Sequence, residues 1–300
     1  MQKILPNFII AGVHKSGTTS LFHYLNQHPD VLASVDKETN FFIYPKYQKA
    51  SRPIEEYYQQ FEKYAGEKII MEASPGYFYG GKAIAEVIKE KCNNPKILII
   101  LREPTARVIS FFNRKREVFQ LPESLTLQEY YKQCMNFTES ELLMEKNHLY
   151  TGFEFGFYIK HIDDWFQTFG SNLKIMFFED LTNPKKVMDE LCDWLGIDKG
   201  FYENYDFKVQ NKSVNYKNRM LQSVAVKVSF GAQRFWRNNP RLKSTLRGLY
   251  YKLNGVEAGK ISHDANVKMT IQNMYGTYNK QLATYLREKG YSNLPAWLKE

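Results

Sequence analysis

The amino-acid sequence predicts an α/β protein with a central parallel sheet flanked by helices. Short apolar segments rich in β-branched residues alternate along the chain with longer segments of helical periodicity. The 300 residues are 43% hydrophobic, which is enough for one large core. Because crossovers between parallel strands are right-handed, the helices cover both faces of the sheet, and we expect a doubly wound, three-layer architecture.

Strands are predicted from apolar runs, and helices from apolar side chains spaced three or four residues apart. The predicted strands are residues 8–11, 68–71, 96–101 and 173–178. The predicted helices are residues 18–27, 82–92, 104–119, 154–169 and 184–195, with a last amphipathic helix over residues 267–289. Since the chain has no internal repeat and no Gly/Ser-rich linker, we interpret residues 1–300 as a single domain.

The positive charge is unevenly distributed. The chain has 41 Lys+Arg and 32 Asp+Glu, a net charge of +9. Residues 208–252 contain 11 of the basic residues and no acidic one, so the whole excess lies there. Such a run is either a solvated helical face or a surface for an anionic ligand, nucleic acid or an acidic membrane. We expect this segment to be irregular and mobile and to cover the acceptor or the cofactor.

Several protein classes are disfavoured by composition. No apolar run approaches the roughly 20 residues of a membrane-spanning helix, and the apolar N-terminal segment is too short for a signal peptide, so a cytoplasmic protein is expected. Cys92, Cys134 and Cys192 are widely spaced and are predicted to be buried free thiols. The six histidines show no metal-ligand spacing, and no metal site is predicted. Residues 208–252 match no nucleic-acid motif, so no nucleic-acid partner is expected.

The first predicted strand leads into a glycine turn and then a helix. The turn reads GVHKSGTT from residue 12 to residue 19. It directs several backbone N–H groups and the positive end of the helix at one point, which suits a phosphate group. In the ATP-binding version of this loop a lysine directly follows the second glycine, whereas here Thr18 holds that position and Lys15 lies three residues earlier. A nucleoside triphosphatase is therefore disfavoured.

A second anion site is predicted at the end of the strand at residues 96–101. Arg102 follows this strand, at the edge of a parallel sheet where ligands bind. Ser110 lies two turns into the next helix, which also carries Arg107, Arg114 and Arg116. An arginine at this place is as often an ion-pair partner as a ligand, so the prediction depends on its combination with the first loop.

Together these motifs resemble the sulfotransferases that use 3'-phosphoadenosine 5'-phosphosulfate (PAPS), both the bacterial members and the heparan sulfate type. The resemblance covers most of the chain. Its motifs are residues 15–20 (KSGTTS), 28–30 (HPD), 37–42 (KETNFF), 72–78 (EASPGYF), 101–110 (LREPTARVIS), 156–158 (GFY), 178–181 (FEDL) and 194–196 (WLG). It implies a P-loop-like fold and transfer of a sulfuryl group from PAPS without a metal, leaving adenosine 3',5'-bisphosphate (PAP).

The resemblance also implies roles for individual residues. Lys15 would neutralise the charge that develops on the oxygen between phosphorus and sulfur, as a loose in-line transition state requires. The residues implied to hold the 5'-phosphate are Lys15, Ser16, Gly17, Thr18, Thr19 and Ser20. Those implied to hold the 3'-phosphate are Arg102 and Ser110, with Lys212 and Arg219 in a basic loop over it.

Glu38 is the general base that the resemblance implies. Beside apolar Phe41 and Phe42, its carboxylate is expected to have a raised pKa. The alternatives are a surface glutamate paired with Lys37, or His14 or His161 as the base. Tyr77 and Phe78 are interpreted either as acceptor-pocket residues or as core.

The acceptor is the least determined part of the prediction. Heparan-type enzymes commonly carry a lysine where this chain has Ala73. The acceptor group is a hydroxyl or an amine of a carbohydrate or small molecule, the alternative being a cytoplasmic natural product or a lipid. The competing functions are a P-loop nucleotide kinase and an anion-binding protein that uses the basic segment.

Overall fold

The computed structural model describes residues 3–47, 49–50, 52–142, 144–208, 214–232, 235–236, 239–257 and 264–299. Its centre is a five-stranded parallel sheet in the order β2-β3-β1-β4-β5. The strands are β1 (Phe8–Gly12), β2 (Val31–Ala33), β3 (Ile69–Ala73), β4 (Lys96–Leu101) and β5 (Leu173–Phe177). The predicted central parallel sheet is confirmed, with β2 as an additional short strand at one edge.

The helices follow the strands as in other α/β proteins. They are α1 (Thr18–Leu25), α2 (Ile54–Tyr58), α3 (Gly81–Lys91), α4 (Pro104–Glu117), α5 (Leu127–Met135), α6 (Glu139–Leu142), α7 (Ile159–Phe169), α8 (Pro184–Leu195), α9 (Arg219–Gly231), α10 (Pro240–Asn254) and α11 (Ala265–Glu288). In the part of the chain that the structure describes, none of these helices is long and apolar enough to cross a membrane.

Both faces of the sheet are covered, which explains why the strands are apolar throughout. In β1, Ile9 faces one core together with α3 and α7. Phe8 and Ile10 face the other, together with α1 and α8. The three-layer architecture is thereby confirmed. The last helix, α11, contributes Leu282 and Leu286 to the first of these cores.

One predicted helix begins later than its sequence pattern indicates. Residues 154–169 are predicted as one helix, but Glu154–Gly156 forms a 3-10 turn and α7 begins at Ile159. Gly156 packs directly on the Tyr275 side chain, where a Cβ atom would lie 2.5 Å from two ring atoms and from the hydroxyl oxygen. This close approach of the backbone to a buried ring accompanies the break in the helix.

The basic segment differs from the irregular chain expected from its sequence. Its described residues form α9 and α10, and the short strands β6 (Val214–Tyr216) and β7 (Gly255–Glu257) pair in antiparallel orientation at their base. We call the unit from β6 to β7 the basic hairpin.

The three cysteines are buried free thiols, as predicted.

Candidate active site

The loop after β1 is held in a fixed conformation by its own side chains. The Ser16 hydroxyl donates to the Val13 carbonyl at 2.6 Å and accepts from the Val13 N–H at 3.2 Å. Lys15 and Gly17 have φ angles of +70° and +84°, a region that favours glycine. A Cβ atom on Gly17 would also collide with Leu181. The loop therefore presents Lys15 at its rim and the N-terminus of α1 behind it.

The second site is built at the end of β4. Glu103 caps α4, accepting from the Thr105 N–H at 2.8 Å, and Pro104 occupies the first turn, where no backbone donor is needed. This fixes the direction of α4, which carries Ser110 and Arg114 into the cavity wall. Arg107, by contrast, is fully buried and donates to the Gly152 carbonyl, so it has a structural contact instead of a place in the cavity.

Arg102 connects the two sites. Its Nη1 atom donates to the Lys15 carbonyl at 2.7 Å, and its guanidinium lies 4.2 Å from the centre of the Phe178 ring. The Arg102 carbonyl accepts from the Tyr158 hydroxyl at 2.8 Å. Because these three contacts fix Arg102 in place, the loop after β1 and the end of β4 form one rigid cationic surface.

Glu38 faces the same cavity, in the chain that follows β2. It forms an ion pair with Lys37 at 2.8 Å, and 45% of its side chain is exposed. The expectation of a raised pKa is wrong. Desolvation does raise the pKa of Glu38, but the charges of Lys37, His14 and Lys15 and a hydrogen bond from Lys37 outweigh it, so the net shift is downward.

A buried carboxylate beneath this segment was not singled out by the sequence. Glu72 in β3 is fully buried and accepts hydrogen bonds from Thr39 Oγ1 at 2.5 Å, Tyr57 OH at 2.6 Å and Ser74 Oγ at 3.0 Å. Burial raises its pKa. The Ser74 hydroxyl also accepts from the Asn40 N–H at 3.0 Å. Glu72 thus anchors the segment that carries Glu38.

These elements enclose a cavity of about 1300 Å³. Of the residues predicted for the site, the wall contains Lys15, Gly17, Thr18, Thr19, Ser20, Glu38, Arg102 and Ser110. Further charged side chains that sequence analysis did not place here are Lys46, Lys49, Arg52, Lys115, Glu145 and Lys146. Cations outnumber carboxylates on this wall, which makes the cavity a site for anionic molecules.

Two lysines of the wall are poorly hydrated. Burial lowers the pKa of Lys15 to about 8, with added repulsion from Arg114 and Arg102 that Glu117 and Glu38 partly offset. Burial also lowers the pKa of Lys46 to about 8, and its ammonium lies 4.2 Å from the centre of the Phe155 ring. An anion bound beside either ammonium would favour its charged form.

The two histidines considered as alternative bases are neutral imidazoles at neutral pH, the form that can accept a proton. Burial lowers the pKa of both His14 and His161 to about 4. His14 lines the cavity and lies parallel to the Tyr79 ring, with ring centres 5.8 Å apart. His161 lies against the Phe78 ring.

Other predicted residues lie elsewhere. The Ser16 hydroxyl is directed into its own loop, as described above, and so it holds the loop in shape. Tyr77 and Phe78 are fully buried, which confirms the interpretation as core. Ala73 is buried in β3. Lys212 and the side chain of Arg219 lie outside the described residues, so their place over the 3'-phosphate stays a prediction.

Comparison with known proteins agrees with this geometry. Residues 5–239 match the family described as "Sulfotransferase domain". Heparan sulfate glucosamine 3-O-sulfotransferase 3B1 of Mus musculus is 30% identical over 213 residues, 68% of this chain and 50% of that protein. The bifunctional heparan sulfate N-deacetylase/N-sulfotransferase 1 of Caenorhabditis briggsae is 28% identical over 222 residues, 68% of this chain and 24% of that protein.

The fold is also shared with a solved structure. A sulfotransferase from Alicyclobacillus acidocaldarius superposes with a TM-score of 0.59 at 24% identity, covering 78% of this chain and 95% of that one. The chain spans about half the length of the mouse relative it matches. The family match covers most of the chain and includes both anion-binding motifs. The chain therefore belongs to the sulfotransferase family, which confirms the resemblance of its motifs.

Proposed function

We propose that this protein transfers a sulfuryl group from PAPS to a hydroxyl or amine of a carbohydrate or small-molecule acceptor. The observation that carries the proposal is the shared wall of Lys15, Arg102 and Glu38 in one cavity. Two cationic centres on adjacent strands suit a donor with two phosphate-type groups, and a carboxylate beside them suits an acceptor that must lose a proton.

The loop after β1 and the end of β4 form the part of the cavity that would bind the donor. PAPS supplies the sulfuryl group and a phosphate leaving group. The N–H groups at the start of α1, with the hydroxyls of Thr18 and Thr19, would bind the 5'-phosphate. Lys15 would stabilise the negative charge on the leaving oxygen. Arg102 and Ser110 would bind the 3'-phosphate, which distinguishes PAPS from other adenylates.

Glu38 acts in this proposal as the general base. Its lowered pKa means that the carboxylate is ionised at neutral pH and can accept a proton at once. Its ion pair with Lys37 and the influence of the Lys15 charge on its pKa support this role, since Lys15 is the residue proposed to stabilise the leaving oxygen. The proton of the acceptor would pass to a Glu38 oxygen as the acceptor attacks sulfur.

The acceptor half carries its own positive charge. Lys46, Lys49, Arg52 and Lys146 line the cavity there, and Lys49 is paired with Glu145. This excess favours an acceptor that is itself anionic, such as an acidic carbohydrate or an anionic small molecule. A lipid or natural product with a negatively charged group meets the same requirement.

The experiment that tests the donor assignment is calorimetric titration with PAP, AMP and magnesium-ATP. PAP is expected to bind more tightly than AMP, roughly 10–100-fold, because the 3'-phosphate gains a charge-assisted contact. Arg102→Ala should remove that advantage. Arg116→Ala is the matched control, since Arg116 lies near the end of α4, the helix that follows Arg102, and donates to the Glu123 carbonyl. Preference for magnesium-ATP would overturn the proposal in favour of a kinase.

A further inference from the structure

The basic hairpin has a polar interior. Asn254 is 2% exposed, and its side chain joins Asn218 and Tyr250 by hydrogen bonds of 2.6–2.9 Å. The Tyr250 hydroxyl donates to Gln222, which is 6% exposed, at 2.6 Å. These contacts join α9 to α10. The two helices are therefore held to each other by polar groups, unlike helices that pack on an apolar core.

Several of the apolar side chains that the structure describes in the hairpin are exposed. Leu242, Leu246, Leu249 and Leu253 follow a spacing of four, three and four residues, which places them on one face of α10. All four are exposed, Leu253 by 75%. On α9, Met220, Leu221, Val224 and Val228 are also exposed, Met220 by 83%. Single exposed apolar residues are common, but two continuous stripes on neighbouring helices mark an interaction surface.

In the sequence of the two helices, the only charged residues are Lys and Arg. Helical spacing places positions 241 and 252 on one side of the leucine stripe of α10 and positions 243 and 247 on the other, and all four are Lys or Arg. The run of 11 basic residues without an acidic one includes all of α9 and all of α10 except its last two residues. An apolar stripe flanked by cations is the pattern of a helix that lies in the interface of an anionic bilayer.

The hairpin begins beside the cavity. Tyr216, in β6, lies close enough to Arg114 and Glu117 of α4 for their charges to act on its hydroxyl. Arg114 lines the cavity. A surface bound by the hairpin would thus lie near the cavity, on the side formed by α4.

We propose that the basic hairpin binds an anionic lipid bilayer, with the apolar stripes of α9 and α10 in the headgroup boundary and the flanking basic residues on lipid phosphates. Nucleic acid would satisfy the charges but would leave the leucine stripe in water. A second copy of the hairpin would cover the leucines but would bring two purely basic surfaces together. The bilayer is the partner that meets both requirements.

The test is co-sedimentation of the full chain with phosphatidylcholine vesicles, with or without about a third phosphatidylglycerol. We expect binding to the anionic vesicles and at least about tenfold weaker binding to the neutral ones. Leu246→Ser with Leu253→Ser should weaken binding about tenfold or more through lost apolar burial. Lys227→Gln with Lys252→Gln should weaken it by roughly fivefold per charge.

Matched controls are taken from exposed positions outside the hairpin. Met135→Ser with Met269→Ser removes two exposed apolar side chains, and Lys63→Gln with Lys280→Gln removes two exposed charges. Both pairs should bind vesicles like the wild type.

Three outcomes would overturn the proposal. The first is no binding to anionic vesicles. The second is binding to double-stranded DNA at the same strength, unchanged by the leucine substitutions. The third is a dimer that dissociates when the leucines are replaced, with no effect of vesicles. If the leucine variant unfolds, which thermal denaturation detects, the lysine pair decides the question. PAP titration distinguishes failure here from failure of the proposed transferase activity, since the hairpin variants should bind PAP normally.

Discussion

Binding of PAP should weaken as the pH rises through about 8, because Lys15 in the free protein loses its proton there. Burial and neighbouring cations lower the pKa of Lys15 to about 8. A phosphate bound beside the ammonium favours the charged form and raises that pKa again. Since the pKa is lower in the free protein than in the complex, binding takes up protons and the affinity falls with rising pH.

The magnitude follows from the fraction of Lys15 that is protonated before binding. With a pKa of about 8, roughly one molecule in ten keeps the proton at about pH 9, against nearly all at about pH 7. The last ionisation of a phosphate monoester lies near about pH 6, so PAP itself does not titrate in this range. We therefore expect the dissociation constant of PAP to rise about tenfold between these two pH values.

Isothermal calorimetry at both pH values measures the affinities. Repeating it in buffers of different ionisation enthalpy gives the number of protons taken up on binding. Lys15→Met should bind weakly and with no pH dependence between about pH 7 and 9. Lys46→Met is the matched control, because its pKa is also lowered to about 8 but it lies over Phe155 on the acceptor side. A tenfold change that persists in Lys15→Met, or disappears in Lys46→Met, would refute the reasoning.

Three further substitutions separate chemistry from stability. Glu38→Gln should slow sulfuryl transfer by about 100-fold or more while leaving the calorimetric affinity for PAP near that of the wild type; equal rates would exclude Glu38 as the base. Gly17→Ala should lower the free energy of unfolding by roughly 1–2 kcal/mol, because φ is +84° and Leu181 occupies the space of the added methyl; a wild-type denaturation midpoint would contradict this. Glu103→Ala removes the cap of α4 and should cost about 1 kcal/mol by chemical denaturation, whereas Glu62→Ala, on an exposed residue, should cost little.

The elements that the sequence predicts best have a strong local pattern. The bounds of β4 and α8 agree with the predicted ranges, because each is a continuous apolar run or an amphipathic repeat with a clear start at Pro184. The short edge strand β2 has only three residues and no such pattern. Helix α5 was not predicted, although Thr126 and Glu129 form a capping box that marks its beginning.

The same distinction applies to the site. Arg102 directly follows β4 and Lys15 lies three residues after the end of β1, so their place at the sheet edge can be derived from local sequence. The acceptor wall is different, because Lys46, Arg52 and Lys146 come from loops that are brought together only by the packing of the chain. The support of the Glu38 segment by buried Glu72 likewise depends on contacts between residues far apart in sequence. The hydrogen bond from Thr39 to Glu72, for example, joins residues 33 positions apart.

Lys15 and Glu38 also affect each other's ionisation, and this has a consequence for catalysis. In the free protein the positive charges near Glu38 keep its pKa low, which makes it a weak base. A bound donor carries negative charge into the same cavity and neutralises part of that field, so the pKa of Glu38 should rise when the donor is present. A carboxylate with a higher pKa attracts the acceptor proton more strongly. The geometry therefore predicts that Glu38 becomes an effective base after the donor has bound, which couples proton removal to a loaded site.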